Sequence, residues 1–315
     1  MDAFSAVNSG LSHDLVVELT VYSESPDELS SVAFRWLTEG LSQIAISGEL
    51  QALQKSLRVS KNGFLRLRDS IPARKHGALW GTVFVSSRDS FETFYNPYVE
   101  EAFDWLKVNL DERSEVSGVE IGGYSEAGEV GGAEIRLHVS FDDELPNYVK
   151  LSYHFDEAIL IETSSKRASH SRLLHLVKWA CGQFNVVFGH LSYVHAGGRT
   201  ELESCLRGPG RIPTLNTPKW RDTLRGYSWL TVVSQGVVQH LGGVEVLGES
   251  NAFHSISILP NGSVMLQATS WFDEYRESRV KAVYRALREV LVQGEFRKIA
   301  PAPGRPSSYM VVLEG

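Results

Sequence analysis

Cysteine is scarce: Cys181 and Cys205 are the only two in 315 residues. Two thiols cannot staple a chain of this length, so the disulfide-framework class is excluded and a reducing compartment is expected. Long apolar runs are missing too, and no window approaches the ~18 uninterrupted residues of a membrane helix. Met1–Leu11 carries Asp2 and has neither the basic region nor the apolar stretch of an export signal. Together these absences predict a cytoplasmic protein with no membrane partner. Positive charge is the minority, with 31 Lys and Arg against 38 Asp and Glu, a formal charge of -7 and a pI near 5.8. That balance argues against a protein that coats nucleic acid or an anionic membrane, and a basic partner fits it better. What is present is 43% hydrophobic and 10% aromatic, a globular composition whose length predicts roughly two domains or one duplicated unit.

Catalytic and cofactor signatures are also missing. Gly123-Tyr124-Ser125-Glu126-Ala127 approximates a nucleophile elbow, but Gly128-Glu129-Val130-Gly131-Gly132 follows where an elbow requires a helix. Of the ten histidines, His170 and His175 are five apart on a predicted helix and His190 and His195 five apart on a predicted strand, so neither pair shares a face. No metal site, phosphate loop or dinucleotide fingerprint emerges, and no cofactor is expected. Lys55 to Lys75 is locally basic with Phe64 interleaved, a pattern that fits a solvated sheet face better than a nucleic-acid surface.

Periodicity supplies the architecture. Leu15–Tyr22 alternates like a strand; Ser25-Pro26 with Asp27 and Glu28 reads as a helix start; Leu29, Val32, Ala33, Trp36, Leu37, Leu41, Ile44 and Ala45 then share one helical face. Phe64–Leu67 and Ala78–Val85 read as strands, Asn96-Pro97 opens a helix with Val99, Ala102, Phe103, Leu106 and Leu110 inward, and a strand near Val116–Tyr124 follows. Gly122–Gly132 reads as a flexible loop separating two modules, 12–125 and 126–315. Beyond it come strands Ala133–Phe141 and Tyr148–Phe155 around Pro146-Asn147, a helix carrying Leu173, Leu176, Val177 and Ala180, and strand Val186–Tyr193. The last third again runs strand Tyr227–Val233, helix Gln235–Leu241, strands Phe253–Leu259 and Ser263–Ala268, helix Tyr275–Val292 and strand Ser308–Leu313. The expected class is α+β: two ferredoxin-like βαββαβ pseudo-repeats, with antiparallel sheets and helices packed on one face.

Thr200-Glu201-Leu202-Glu203, Leu224-Arg225-Gly226-Tyr227-Ser228-Trp229, Leu241-Gly242-Gly243 and the acid-rich Trp271-Phe272-Asp273-Glu274-Tyr275 form an ordered block, with Gly189-His190 upstream. Each piece has an architectural reading: Gly226 and Gly242-Gly243 as left-handed helix ends, Pro260-Asn261-Gly262 as a tight hairpin. As a set the block resembles the type VI immunity family of bacterial toxin-neutralising proteins, including a loose actinobacterial branch, over the C-terminal third to half. The resemblance implies a non-catalytic protein that occludes a cognate toxin, without cofactor. Toxin nucleases are often basic because they contact phosphate, and an acidic inhibitor can mimic that charge. Candidate contact residues are Asp142, Asp143 and Glu144 on a hairpin and Asp273 and Glu274 before the last helix; their bland reading is solvated turn residues. Two alternatives stand beside it. An enzyme or small-ligand protein would bring at least two of His138, His154 and His190 together with carboxylates in a sheet-face pocket, and a structural module would self-associate through a sheet edge.

Overall fold

The computed structural model describes residues 13–45, 53, 58–71, 78–90, 92–125, 127–162, 166–297 and 310–312. The described residues form ten strands: β1 (Asp14–Tyr22), β2 (Leu79–Ser86), β3 (Thr93–Pro97), β4 (Val116–Tyr124), β5 (Val130–Phe141), β6 (Tyr148–Asp156), β7 (Val186–Tyr193), β8 (Leu230–Val233), β9 (Ser255–Ile258) and β10 (Val264–Gln267). The longer helices are α1 (Glu28–Arg35), α2 (Glu100–Asp111) and α3 (Lys166–Gln183). After them come α4 (Glu201–Cys205), α5 (Gln235–His240), α6 (Val244–Glu249) and α7 (Glu277–Leu287). Mixed helix and antiparallel strand is therefore the architecture. The chain divides into two compact units, Val21–Phe155 and a second made of Met1–Thr20 with Asp156–Gly315.

In the Val21–Phe155 unit the strands run β3-β2-β4-β5-β6, each neighbour antiparallel. Alternation decides which face is buried: Val83, Val119, Leu137, Val139 and Leu151 face inward, and helices supply Leu29, Ala33, Trp36, Leu37, Ala102, Leu106 and Leu110. Each of those leucines contributes roughly 2 kcal/mol of burial. The predicted apolar face of the first helix is present, but α1 passes through a π-helical turn at Trp36–Gly40 before Leu41–Ile44. Ser25 does not cap it; Ser23 Oγ instead donates to Glu28 Oε2 at 2.7 Å. α2 ends with Ser114 N–H donating to Asn109 O at 3.1 Å and Arg113 N–H to Leu110 O at 2.9 Å. That pattern needs a left-handed residue, and Arg113 adopts φ 56° there, tied by its Nη2 to Pro146 O at 2.9 Å.

Two expectations change in this unit. Phe64–Leu67 is not a strand: Phe64 makes one bridge to Tyr95, and Leu67–Ser70 is helical. The Gly-rich stretch 122–132 is mostly strand, with a short turn in which Ser125 N–H donates to Glu129 O at 2.8 Å. Ser125 lies in the turn of a hairpin whose strands pair with each other, and the glycines stand at a register shift of that pairing. A Cβ on Gly122 would lie 2.4 Å from Gly132 O, which explains the glycine. The βαββαβ order of elements is found over 14–124, but the pairing is not ferredoxin-like. That fold pairs its fourth strand with its first, whereas β4 pairs with β2 and β5.

The other unit orders its strands β1-β7-β8-β10-β9. β7 is buried at all eight residues, so both of its faces are covered. β8, the helices α5 and α6, and β9 form a split β-α-β arrangement, with β10 inserted antiparallel to both strands. The edge of β8 where a ferredoxin-like fourth strand would sit is taken by β7, and the expected strand Ser308–Leu313 lies largely outside the described residues. Gly242 and Gly243 take φ of 87° and 99°, and Gly262 takes 81°, as the helix ends and hairpin require. Gly226 serves differently: its φ is not in the left-handed region, and a Cβ there would sit 2.7 Å from Thr200 Oγ1.

Candidate functional site

Two segments of the block, Thr200–Glu203 and Leu224–Trp229, fold into one buried polar framework. Thr200 and Glu203 form a capping box at α4: Glu203 N–H donates to Thr200 Oγ1 at 3.1 Å and Thr200 N–H to Glu203 Oε2 at 2.9 Å. Arg225 grips the same carboxylate with two parallel bonds, Nε to Oε1 at 3.0 Å and Nη2 to Oε2 at 2.9 Å, and Asn216 Nδ2 adds a fourth donor at 2.9 Å. Glu203 is 0% exposed and Arg225 2%. Burial alone would pull the guanidinium down, but Glu203 and then Glu18 hold Arg225 above its ordinary range. His190 sits beside this pair, its Nε2 3.9 Å from Glu18 Oε1, which is also 3.7 Å from Arg225 Nη1. Burial, opposed by Glu18, pushes His190 down to about 4, so the imidazole is neutral at pH 7.

Every residue of Leu224–Trp229 has a structural task. Leu224 bridges Leu291, Gly226 packs on Thr200, and the Tyr227 hydroxyl accepts from Val312 N–H at 2.7 Å. Ser228 Oγ accepts from Leu191 N–H and donates to Leu230 O, while Trp229 Nε1 donates to Thr269 O. Downstream, Phe272 N–H donates to His170 Nε2 at 3.0 Å, and His170 Nδ1 bonds Lys166 O at 2.7 Å. The imidazole acts there as a neutral bracket between α3 and the Trp271–Tyr275 turn. A carboxylate with four donors, two of them from one guanidinium, has its lone pairs engaged within the fold. The buried cysteines are free thiols pushed up to about 12 by burial, which makes them poor nucleophiles.

A second polar cluster lies on the Val21–Phe155 sheet, on the side of Glu120, Arg136 and His154, which stand in one cross-strand row. His138 Nε2 is 3.3 Å from Glu120 Oε1, the His138 and His154 rings are 4.9 Å apart, and His154 Nε2 is 3.2 Å from Ser152 Oγ. Gly118 makes the space: a Cβ there would lie 2.5 Å from Phe84 and 2.7 Å from His138. Tyr95 is pushed up by burial and by Glu120. Of the three sequence-nominated histidines, His138 thus meets the Glu120 carboxylate with His154 stacked beside it, while His190 stands next to Glu18 in the framework of the other unit. Among the described residues, no group of three His, Cys, Asp or Glu side chains is arranged to hold a metal ion.

The candidate contact acids part company. Asp142 Oδ1 accepts from Glu144 N–H at 3.0 Å and shapes the β5–β6 turn, and Asp143, its side chain 84% exposed, pairs with Arg88. Asp273 is held by Lys166, with Nζ to Oδ1 at 2.6 Å, and Glu274 accepts from Trp271 N–H at 3.2 Å. The two groups lie in different units. Missed from sequence were Glu203 and Arg225 as a pair; Thr-x-x-Glu ahead of an apolar residue is the capping-box signal that marks the first of them. No described helix is long and apolar enough to cross a membrane.

No protein-family profile matches the chain, and no curated protein matches it by sequence. Among solved structures, the Pseudomonas aeruginosa T6SS protein PA0821 aligns with 95% of this chain and 80% of its own, at 10% identity and a TM-score of 0.49.

Proposed function

We propose that this chain is a non-catalytic binding protein of the toxin-immunity kind, which neutralises a basic protein partner by covering it. The observation that carries the reading is charge segregation. Val21–Phe155 holds 21 Asp and Glu against 13 Lys and Arg, a formal -8, whereas the remaining residues hold 17 against 18, a formal +1. The acidity of the protein is thus a property of one unit. Along the solvent face of α2 stand Glu100, Glu101, Asp104 and Asp111 against Lys107, with Glu112 just after it and Val108 57% exposed among them. Arg113 ties the end of this helix to the β5–β6 turn, so Asp142, Asp143 and Glu144 adjoin the same acidic surface. Clustered like charge costs stability and is retained where it steers an oppositely charged partner. The block supports the reading from the other side, since Thr200, Glu203, Arg225 and Ser228 spend their hydrogen bonds on one another and on the backbone. Asp273 and Glu274 contribute less, being engaged by Lys166 and the Trp271 backbone.

A second reading, a small-ligand or enzyme site on the sheet face, is favoured by one observation, the meeting of Glu120, His138 and His154. The test separates the two. The tagged chain is isolated from its source organism at low and high salt, beside a variant carrying Glu100→Lys, Asp104→Lys, Asp111→Lys and Glu112→Lys. A stoichiometric basic partner, lost in high salt and in the variant, supports immunity; neutralisation of that partner's toxicity on co-expression completes it. Partner capture unaffected by charge reversal in a folded variant refutes the acidic docking surface. Loss of partner capture with Glu120→Gln and His138→Gln alone would move the site to the sheet face.

A further inference from the structure

Between the start of β7, the Trp220–Asp222 turn, helix α5 and the β9–β10 hairpin lies a cleft of about 420 Å³, within the range of small-molecule sites. Its walls are fixed by groups that satisfy one another. Ser234 Oγ donates to Trp220 O at 2.7 Å and accepts from Val237 N–H at 3.2 Å; Asn261 Nδ2 donates to Val186 O at 3.1 Å while its Oδ1 accepts from Ser263 N–H. Gly236 lets α5 close onto the turn, since a Cβ there would lie 2.4 Å from Arg221 O. A cavity so braced needs little ordering when a ligand enters.

The side chains at the mouth of the cleft are mostly polar. Gln235 and Gln239 each offer a donor and an acceptor in one plane. Arg221 is the sole Lys or Arg of the lining and Asp222 its sole carboxylate, so their formal charges cancel. The Arg221 guanidinium lies 4.3 Å over the Trp220 ring, which fixes the direction of its N–H groups, and His240 Nδ1 stands 3.7 Å from Asp222 Oδ1. A phosphate would find one guanidinium already offset, and a metal ion a single carboxylate. Apart from Trp220, the apolar side chains of the lining are Val186 and Val187, 1% and 3% exposed, too little for a hydrocarbon ligand. Adjacent donors and acceptors, zero net charge and one indole suit a neutral molecule with vicinal hydroxyls. We propose that this cleft binds a saccharide, of mono- or disaccharide size, independently of the acidic surface on the other unit.

The test is an amide and indole NMR titration of the full chain with glucose, N-acetylglucosamine, maltose and cellobiose, with inorganic phosphate in parallel. The expected result is that at least one sugar shifts the Trp220 indole and the Gln235 and Gln239 side-chain signals. The double variant Asp222→Ala, Gln239→Ala, at exposed positions, should weaken that sugar about tenfold or more, the worth of one lost hydrogen bond, with an unchanged unfolding midpoint. Silence of those signals with all four sugars overturns the proposal. A stronger response to phosphate overturns it as well, as does sugar binding that the double variant leaves intact.

Discussion

Replacing Arg225 by Met keeps the length of the side chain and its packing beside Phe188 but removes the guanidinium from a site where only 2% of the residue is exposed. Glu203, fully buried, would keep its bonds from Thr200 and Asn216 and lose two of its four donors together with the Arg225 cation. Breaking a buried pair by removing one partner leaves an uncompensated charge and costs about 3–5 kcal/mol. Gly198 O also loses its donor, which keeps the figure towards the upper end. With a urea slope of about 2 kcal/mol/M, the midpoint should fall by about 1.5–2.5 M. The companion variant Glu203→Gln with Arg225→Met removes both charges while the amide can still accept from Thr200 N–H. Its loss should be smaller than that of Arg225→Met alone, a coupling a double-mutant cycle reads directly. The assay is equilibrium urea unfolding followed by tryptophan fluorescence. A single-variant loss under about 1 kcal/mol, or a double variant worse than the sum of its parts, would refute the claim that this pair is a desolvated scaffold.

Three further outcomes follow from the same framework. His190 is held near 4 against an ordinary 6.5, so the unfolded chain binds the extra proton first as pH falls. The stability from keeping it neutral is present above pH 6.5 and is lost on acidification towards pH 4, by about 3 kcal/mol in all. His190→Asn should flatten that slope, and unchanged steepness in urea titrations at pH 7, 6 and 5 would count against it. Gly226→Ala should cost about 1–3 kcal/mol by driving a methyl into Thr200, and a neutral effect on the thermal midpoint would show the contact to be slack. Cys181 and Cys205, buried and pushed up to about 12, should react with a disulfide reagent only at the rate of unfolding; fast labelling in the native state would disprove their burial.

Periodic and locally coded features were legible in the residues. Strands Val116–Tyr124 and Val186–Tyr193, the inward face Val99, Ala102, Leu106 and Leu110, and the positive-φ turns at Gly242, Gly243 and Gly262 all follow from neighbours within a few positions. Side-chain alternation and the cost of a Cβ at positive φ act over that range, so sequence alone fixes them. Strand pairing is different. Whether β4 lies against β1 or β2 depends on which faces bury most surface once the helices dock, and a βαββαβ order is compatible with both. Gly226 looks like a helix end from its neighbours and is in fact a close approach to a threonine 26 residues earlier. The candidate sites divide in the same way. Net acidity is a property of composition, but its confinement to one unit, the meeting of Glu120 with His138 beside His154, and the capture of Glu203 by Arg225 are decided only when distant segments pack. The free energy of a buried charge depends on the groups folded around it, and no local stretch of sequence contains them.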